Sequence, residues 1–262
     1  MSLPPDVLIV GAGPAGLALA CALADAGLRS TVLEQAPLAT LVDPPEDGRD
    51  IALTHRARDI LLGLGLWDRL PADEIAPLKQ AHVTSGTSPL VLPFDAREDG
   101  HEQLGWLVPN HRIRAACWAG AQARAAHVTL IGDARVVGLQ RDRHQATVTL
   151  ADGQCLSAPL VVAADSRFSQ VRKLAGIGAR MTDFGRTAIV CRMGHERPHE
   201  GVAHECFLHG HTLAILPMAG LQASAVWTVS SDGAADLLAL SDADFAQAVA
   251  SEFGHQLGAM TT

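Results

Sequence analysis

The sequence predicts an α/β protein in which a parallel sheet is interrupted by a β-meander and followed by a separate antiparallel sheet. Three observations predict it. Residues 6–34 read as strand, glycine turn, helix, strand. A second wholly apolar run at 160–164 re-enters the same parallel sheet. From about residue 187 the pattern becomes a series of short strands.

Each element has a local reason. Residues 6–10 are a short apolar run, the pattern of a strand buried on both faces. Residues 17–26 are rich in Ala and Leu, which are good helix formers, and Gly27 ends that helix. Residues 30–34 form the second strand. Residues 36–50 carry Pro, Asp and Gly and read as a loop. Thr54 can cap a helix through about residue 62. Strands are expected at 81–85 and 90–94, split by a turn at 86–89, and a helix at 110–126. The meander is read at 127–131, 134–140, 146–150 and 154–157, with Ala151-Asp152-Gly153 as one turn. Residues 160–164 read as a second buried parallel strand. Later strands fall at 187–193, 203–208, 212–216 and 224–229, and with those at 81–94 they form one antiparallel sheet. Ser241, with Asp244 three residues on, resembles a capping box opening a helix to about residue 253. The predicted division is discontinuous: 1–79 and 97–179 in one domain, 80–96 and 180–262 in the other.

Composition excludes several classes of function. Hydrophobic residues make up 48% of the 262, enough for a buried core. The formal net charge of −8, with no basic block, leaves no electrostatic footprint for nucleic acid. The start of the chain lacks a basic signal-peptide region, and the apolar run at 15–24 is too short for a membrane span. The chain therefore reads as soluble and cytoplasmic. Five scattered cysteines form no C-x-x-C pair and read as reduced thiols. There is no tyrosine, so none can act as an acid or base.

The run Gly11-Ala12-Gly13-Pro14-Ala15-Gly16 carries the first chemistry. A diphosphate needs close backbone approach and a positive local field. Gly11 permits the tight turn, Gly13 lets the backbone reach the phosphates, and Gly16 lets helix pack on strand. Pro14 sits near the helix start, where its missing N–H is harmless, and the helix N-terminus offers free N–H groups and its dipole. Glu34, 18 residues past Gly16, can accept two hydrogen bonds from a ribose diol and would repel a 2′-phosphate. The unit therefore fits FAD or NAD rather than NADP. Asp165 closes the 160–164 strand, at the carboxyl edge where doubly wound sheets bind ligands; the alternative, read alone, is a structural cap on the following helix.

Around these residues the chain resembles the flavoprotein hydroxylases of ubiquinone biosynthesis, the UbiH/UbiF group with the para-hydroxybenzoate hydroxylase fold, and in detail the UbiM type. The resemblance runs along the whole chain. It rests on Arg49-Asp50-Ile51-Ala52-Leu53-Thr54, Gly65-Leu66-Trp67, Val108-Pro109-Asn110, Ala163-Ala164-Asp165-Ser166-Arg167-Phe168-Ser169, Asp183-Phe184-Gly185-Arg186-Thr187 and Thr212-Leu213-Ala214-Ile215-Leu216-Pro217. It implies a Rossmann-like FAD-binding domain with the inserted meander, and a substrate domain that is incomplete here. It also implies that Gly11, Gly13, Ala15 and Gly16 line the FAD pyrophosphate and Glu34 the ribose. Val136 would offer backbone to the adenine, and Arg49 and Asn110 would lie near the flavin. Asp165 would serve the pyrophosphate and a transient NAD(P)H. The family's Asp-Gly pair is Asp165-Ser166 here, which adds a Cβ where close approach is expected.

The implied activity is an FAD-dependent monooxygenase using NAD(P)H and O₂ to hydroxylate a prenylated phenol or demethoxyubiquinol. Its lipophilic substrate implies peripheral contact with a membrane or a ubiquinone-biosynthesis complex. The family's third motif, Gly-Asp followed by Ala and later His-Pro, does not occur before Thr262, so the resemblance implies roughly the first two-thirds of a hydroxylase. Two alternatives stand beside it: an FAD or NAD oxidoreductase of the same fold that dehydrogenates or reduces, and a non-catalytic chain or assembly partner. No catalytic side chain is assigned. Candidate bases are histidines, and His195, His199, His204, His209 and His211 lie close in sequence. Pro198 and the strand pattern argue against a metal site there, so no metal is expected.

Overall fold

The computed structural model describes residues 4–86 and 88–262. Residues 1–3, in the chain start discussed above, and Thr87, in the turn expected at 86–89, lie outside the described residues. Packing divides the chain into two compact units. The first contains the described residues up to Pro45, with Asp59–Leu70 and His111–Met181; the second contains Glu46–Arg58, Pro71–Asn110 and Thr182–Thr262.

In the first unit, four parallel strands run in the order Leu160–Ala163, Val7–Val10, Ser30–Leu33, Val128–Ile131. Val7–Val10 is buried throughout, as an apolar strand with neighbours on both sides requires. Helix Pro14–Asp25 follows it directly and buries Leu17, Ala20 and Cys21. The meander Val136–Arg141, Ala146–Leu150 and Cys155–Ala158 is antiparallel, and its Val136, Val148 and Leu150 join Leu8, Val10 and Leu33 in one core. Two expectations change here. Residues 128–131 belong to the parallel sheet, paired with Ser30–Leu33, and do not open the meander. The Leu160–Ala163 strand is parallel as expected, but it lies at the edge of the sheet, with Leu160 half exposed.

In the second unit a seven-stranded sheet runs in the order Met260–Thr261, Arg186–His195, Gln222–Ser230, His211–Pro217, Val202–Leu208, Gln80–Ser85, Val91–Asp95. It is antiparallel except where Val202–Leu208 meets Gln80–Ser85. One face packs Met193, Leu213, Ile215 and Trp227 against Phe245, Val249 and Phe253, each large side chain contributing about 1.5–3 kcal/mol on burial. Phe245 and Val249 come from helix Asp242–Glu252, opened as expected by Ser241, whose Oγ accepts from Asp244 N at 3.2 Å.

A small sheet of Asp50–Leu53, Gly105–Pro109 and Ala76–Leu78 was not legible in the sequence. It explains why packing and the sequence divide the chain differently. Ala76 and Leu107 share a buried cluster with Met218, and the Arg192 guanidinium donates to Asp50 at 2.6 Å. Residues 46–58, 71–79 and 97–110, assigned to the first domain on sequence, thus pack with the second unit. Among the described residues no helix is long and apolar enough to cross a membrane.

Candidate functional site

The site is built where two strand ends of the first unit meet. Gly11 follows the Val7–Val10 strand with φ of +107°, in the region that favours glycine. A Cβ there would come within 2.4 Å of the Ala164 carbonyl oxygen, so the glycine turn and the loop after Leu160–Ala163 are in close contact. A Cβ on Gly16 would sit 2.1 Å from the Gly11 oxygen, which is why that helix position is also glycine. Gly13 is different: a Cβ there would meet nothing within 4 Å. Packing therefore does not require glycine at 13, and open space lies over its backbone. Gly13 is also the N-cap of helix Pro14–Asp25 and makes no side-chain cap bond, so the first-turn N–H groups have no such acceptor.

Glu34 supports this turn. Its Oε2 accepts from Ala12 N at 2.9 Å and its Oε1 from Ala36 N at 3.0 Å. Each oxygen keeps a further lone pair for a ligand hydroxyl. Asp165 lies in the same cleft. Its Oδ2 accepts from Val171 N at 3.1 Å, while Oδ1 is buried with no partner in the structure. Capping is mainly the work of Ser169, whose Oγ accepts from Arg172 N at 2.9 Å. Asp165 is thus not the main cap, and a buried carboxylate oxygen without a partner costs about 1–3 kcal/mol unless a donor arrives. Ser166 follows with φ of +74°, a conformation costing about 1–2 kcal/mol for a residue with a Cβ.

Gly11, Gly13, Glu34, Val136, Asp165 and Ser166 line one cleft of about 620 Å³, within the usual range for ligand sites. Ala15 is exposed in the first helical turn and is not part of that lining. Arg135 and Phe168 also line the cleft; neither was singled out on sequence, since nothing but adjacency to Val136 and Asp165 marks them. The groups present fit an ADP-type ligand: an anion-binding helix start, a bared backbone at Gly13, and two carboxylates with free acceptor capacity.

Arg49 and Asn110 lie in the second unit, and the structure brings them together on Asp47. Asp47 Oδ2 accepts from Arg49 Nε at 3.0 Å and from Asn110 Nδ2 at 2.7 Å. Burial alone would raise the Asp47 carboxyl, but the bonds from Arg49 and Asn110 outweigh it and hold the pKa at about 2. Asp47 was not a candidate on sequence, because it stands in a loop rich in Asp and Pro.

Of the clustered histidines, only His195 and His199 have rings in contact with one another among the described residues, edge-on at 5.4 Å. His199 Nε2 pairs with the Met218 carbonyl at 2.7 Å, His211 with Glu252 at 3.1 Å, and His204 stacks edge-on with Phe253. Among the described residues no three His, Cys, Asp or Glu are grouped to hold a metal.

The sequence pattern of the family described as FAD binding domain matches residues 5–260. The chain is 42% identical over 264 residues to ubiquinone hydroxylase UbiM of Neisseria meningitidis, covering 99% of this chain and 57% of that protein. It is 42% identical to ubiquinone hydroxylase UbiL of Rhodospirillum rubrum, over 97% of this chain and 58% of that one. With 3-demethoxyubiquinol 3-hydroxylase of Escherichia coli the identity is 31%, over 98% and 66%. The chain thus spans less than two-thirds of the length of these relatives. Among solved structures, PqsL of Pseudomonas aeruginosa in complex with 2-aminobenzoylacetate superposes with a TM-score of 0.78 at 21% identity, over 99% of this chain and 68% of that one. The p-nitrophenol 4-monooxygenase PnpA of Pseudomonas putida gives 0.74 at 18%, over 100% and 65%. At these identities the two structures speak to the fold.

Proposed function

The chain belongs to the FAD binding domain family, and on that premise we propose that it binds FAD for an aromatic-ring hydroxylase of ubiquinone biosynthesis. The observation that carries the reading is the cleft in which Gly13 is bared and the buried Asp165 Oδ1 has no partner. Identity with the ubiquinone hydroxylases supports the substrate class, a prenylated phenol or demethoxyubiquinol.

The redox chemistry, electrons from NAD(P)H and one oxygen atom of O₂ to an electron-rich ring, is what FAD supplies when bound. The residues of this chain bind and orient. The Gly11–Gly16 turn and the start of helix Pro14–Asp25 take the pyrophosphate. Glu34 takes the ribose diol and Val136 the adenine edge. For Asp165 the chemistry favours a different partner from the pyrophosphate: its unpartnered oxygen is an acceptor, and a sugar-type hydroxyl of the cofactor has a proton to donate where a phosphate oxygen has none. Arg49 and Asn110, held together by Asp47, are proposed to serve the flavin end. A lipophilic substrate draws the chain to a membrane surface or a biosynthetic complex, which co-sedimentation with quinol-containing vesicles tests.

FAD titration followed by flavin fluorescence tests the first step. Hydroxylated product by mass spectrometry, dependent on NAD(P)H and on a demethoxyubiquinol analogue, tests the second. Substrate-dependent NAD(P)H oxidation without oxygenated product favours a dehydrogenase or reductase instead. A further reading, carried over from the sequence, is an FAD-binding chain or assembly partner without turnover of its own. FAD uptake without turnover is its signature, and absence of FAD uptake overturns all of these readings.

A further inference from the structure

We infer that Glu205 is the hydrogen-bonding anchor for a ring hydroxyl of a phenol or hydroquinone lying against the sheet face on which Glu205 stands. The inference rests on the hydroxylase reading and names a residue that would hold its substrate.

The placement follows from register. In a strand successive side chains alternate between faces, and Cys206, Leu213, Ala225 and Trp227 all face the core that contains Phe245 and Phe253. Glu205 therefore faces the other way. Its cross-strand neighbours on that face are Ala214 on one side and Val83 on the other. Beyond Ala214 the row continues through Val226 to Val190, and beyond Val83 to Leu92. A single carboxylate thus interrupts a row of apolar residues six strands wide. The next row adds Phe207, paired with Thr212 and Ser85. Val190, Phe207 and Leu92 are 40%, 49% and 58% exposed, so this part of the face is open.

The charged groups around Glu205 are engaged elsewhere. Arg192, which shares the face, is held by Asp50 at 2.6 Å. Arg186 donates to the Gly210 carbonyl. Glu205 itself has neither a hydrogen bond nor an ion pair among the described residues. Partial burial pushes its carboxyl up, so it keeps its proton to higher pH and can both donate and accept. The two nearby histidines, His82 and His204, alternate onto the opposite face, where their rings meet at 5.4 Å. His204, one of the histidines considered on sequence as a base for a phenol, is therefore not on this face.

A phenol or hydroquinone matches what is present. Its flat ring suits an apolar pleated surface, and its hydroxyl meets the one polar residue in that row. With strands about 4.8 Å apart, the apolar row extends about 14 Å from Glu205 towards Val190 and about 10 Å towards Leu92. That is far more than one ring covers, and it leaves length for a prenyl tail.

The test uses the FAD-loaded chain with two probes, 2-methoxyhydroquinone and its fully methylated counterpart 1,2,4-trimethoxybenzene, measured by equilibrium dialysis. The wild-type chain is expected to bind the hydroquinone about ten-fold tighter than the ether, since a partly buried polar group with no other partner discriminates for the hydroxyl it pairs. Glu205→Leu abolishes that preference without weakening the ether, while Glu205→Gln keeps it within about three-fold because an amide also donates and accepts. Thermal melting and FAD uptake confirm that each variant is folded. A folded Glu205→Leu chain that keeps the full preference overturns the inference; if it also turns over substrate with unchanged KM, the hydroxylase reading stands and only the anchor fails. A wild-type chain that binds FAD but neither probe overturns both. A dimer by light scattering that Glu205→Arg splits, with no effect on hydroquinone binding, assigns the face to a second copy and overturns the inference.

Discussion

Gly11 lies against Ala164 so closely that a Cβ on the glycine would stand 2.4 Å from the alanine carbonyl oxygen. The two sequence features that pointed to a nucleotide, the glycine turn and the strand ending at Asp165, are thus parts of one packed junction. Gly11→Ala is expected to push these backbones apart and to impose a left-handed conformation on a residue with a Cβ. A loss of about 2–4 kcal/mol of stability follows, read by denaturant unfolding. Gly13→Ala is the contrast. Its Cβ meets no protein atom, so the fold should change by under about 1 kcal/mol, while FAD affinity falls at least ten-fold in a fluorescence titration. Equal loss of stability in both variants would refute the distinction.

Asp165 gives a second prediction. Asp165→Ala removes a buried oxygen without a partner at the same time as the acceptor for Val171 N. The two effects, each of about 1–3 kcal/mol and of opposite sign, largely cancel in the ligand-free chain. Its melting temperature should therefore stay within a few degrees of wild type while FAD affinity drops about ten-fold or more. A large fall in melting temperature without loss of FAD would make Asp165 purely structural.

Legibility in the sequence followed the distance between partners. The first strand, turn, helix and second strand lie within 34 residues, and each signal there is local. The Val128–Ile131 strand was assigned to the meander because its true partner, Ser30–Leu33, is about a hundred residues away and leaves no trace in local pattern. Asp50–Leu53 was hidden for the same reason, its partner Gly105–Pro109 standing far along the chain. In the first unit, Gly11, Gly13, Glu34 and Asp165, which the structure gathers in one cleft, were legible because their residue types and spacing are local signals. In the second unit, Asp47 and Glu205 were not. One is marked only by the side chains it gathers, the other only by the register that surrounds it with apolar neighbours.

Ser166 supplies a third prediction. Its φ of +74° is one that glycine adopts freely and serine does not. Ser166→Gly relieves about 1–2 kcal/mol of strain, offset in part by the extra entropy of glycine in the unfolded chain. A net gain of about 0.5–1 kcal/mol is expected in chemical denaturation. Ser166→Val should lose at least as much, because a β-branched residue tolerates that conformation worse than serine. No gain on the glycine change would mean that the Ser166 side chain contributes a contact outweighing its strain.

His204 makes stability depend on pH on the acid side. Burial, and then the neighbouring His82, hold its pKa at about 4, below the ordinary value of 6.5. Its ring lies edge-on to Phe253 at 4.9 Å and to His82 at 5.4 Å. Between pH 6.5 and 4 the unfolded chain takes up a proton at this residue that the folded chain does not. The contribution of neutral His204 is therefore complete above about pH 6.5 and is lost as pH falls to about 4. The ring is only partly buried, so the loss should amount to about 1–2 kcal/mol rather than the full equivalent of the shift. Denaturant unfolding at pH 7, 5.5 and 4.5 reads it directly. His204→Phe keeps an aromatic ring against Phe253 and removes the titrating group, so its stability should fall less over the same interval. An unchanged acid slope in that variant would assign the pH dependence to other groups.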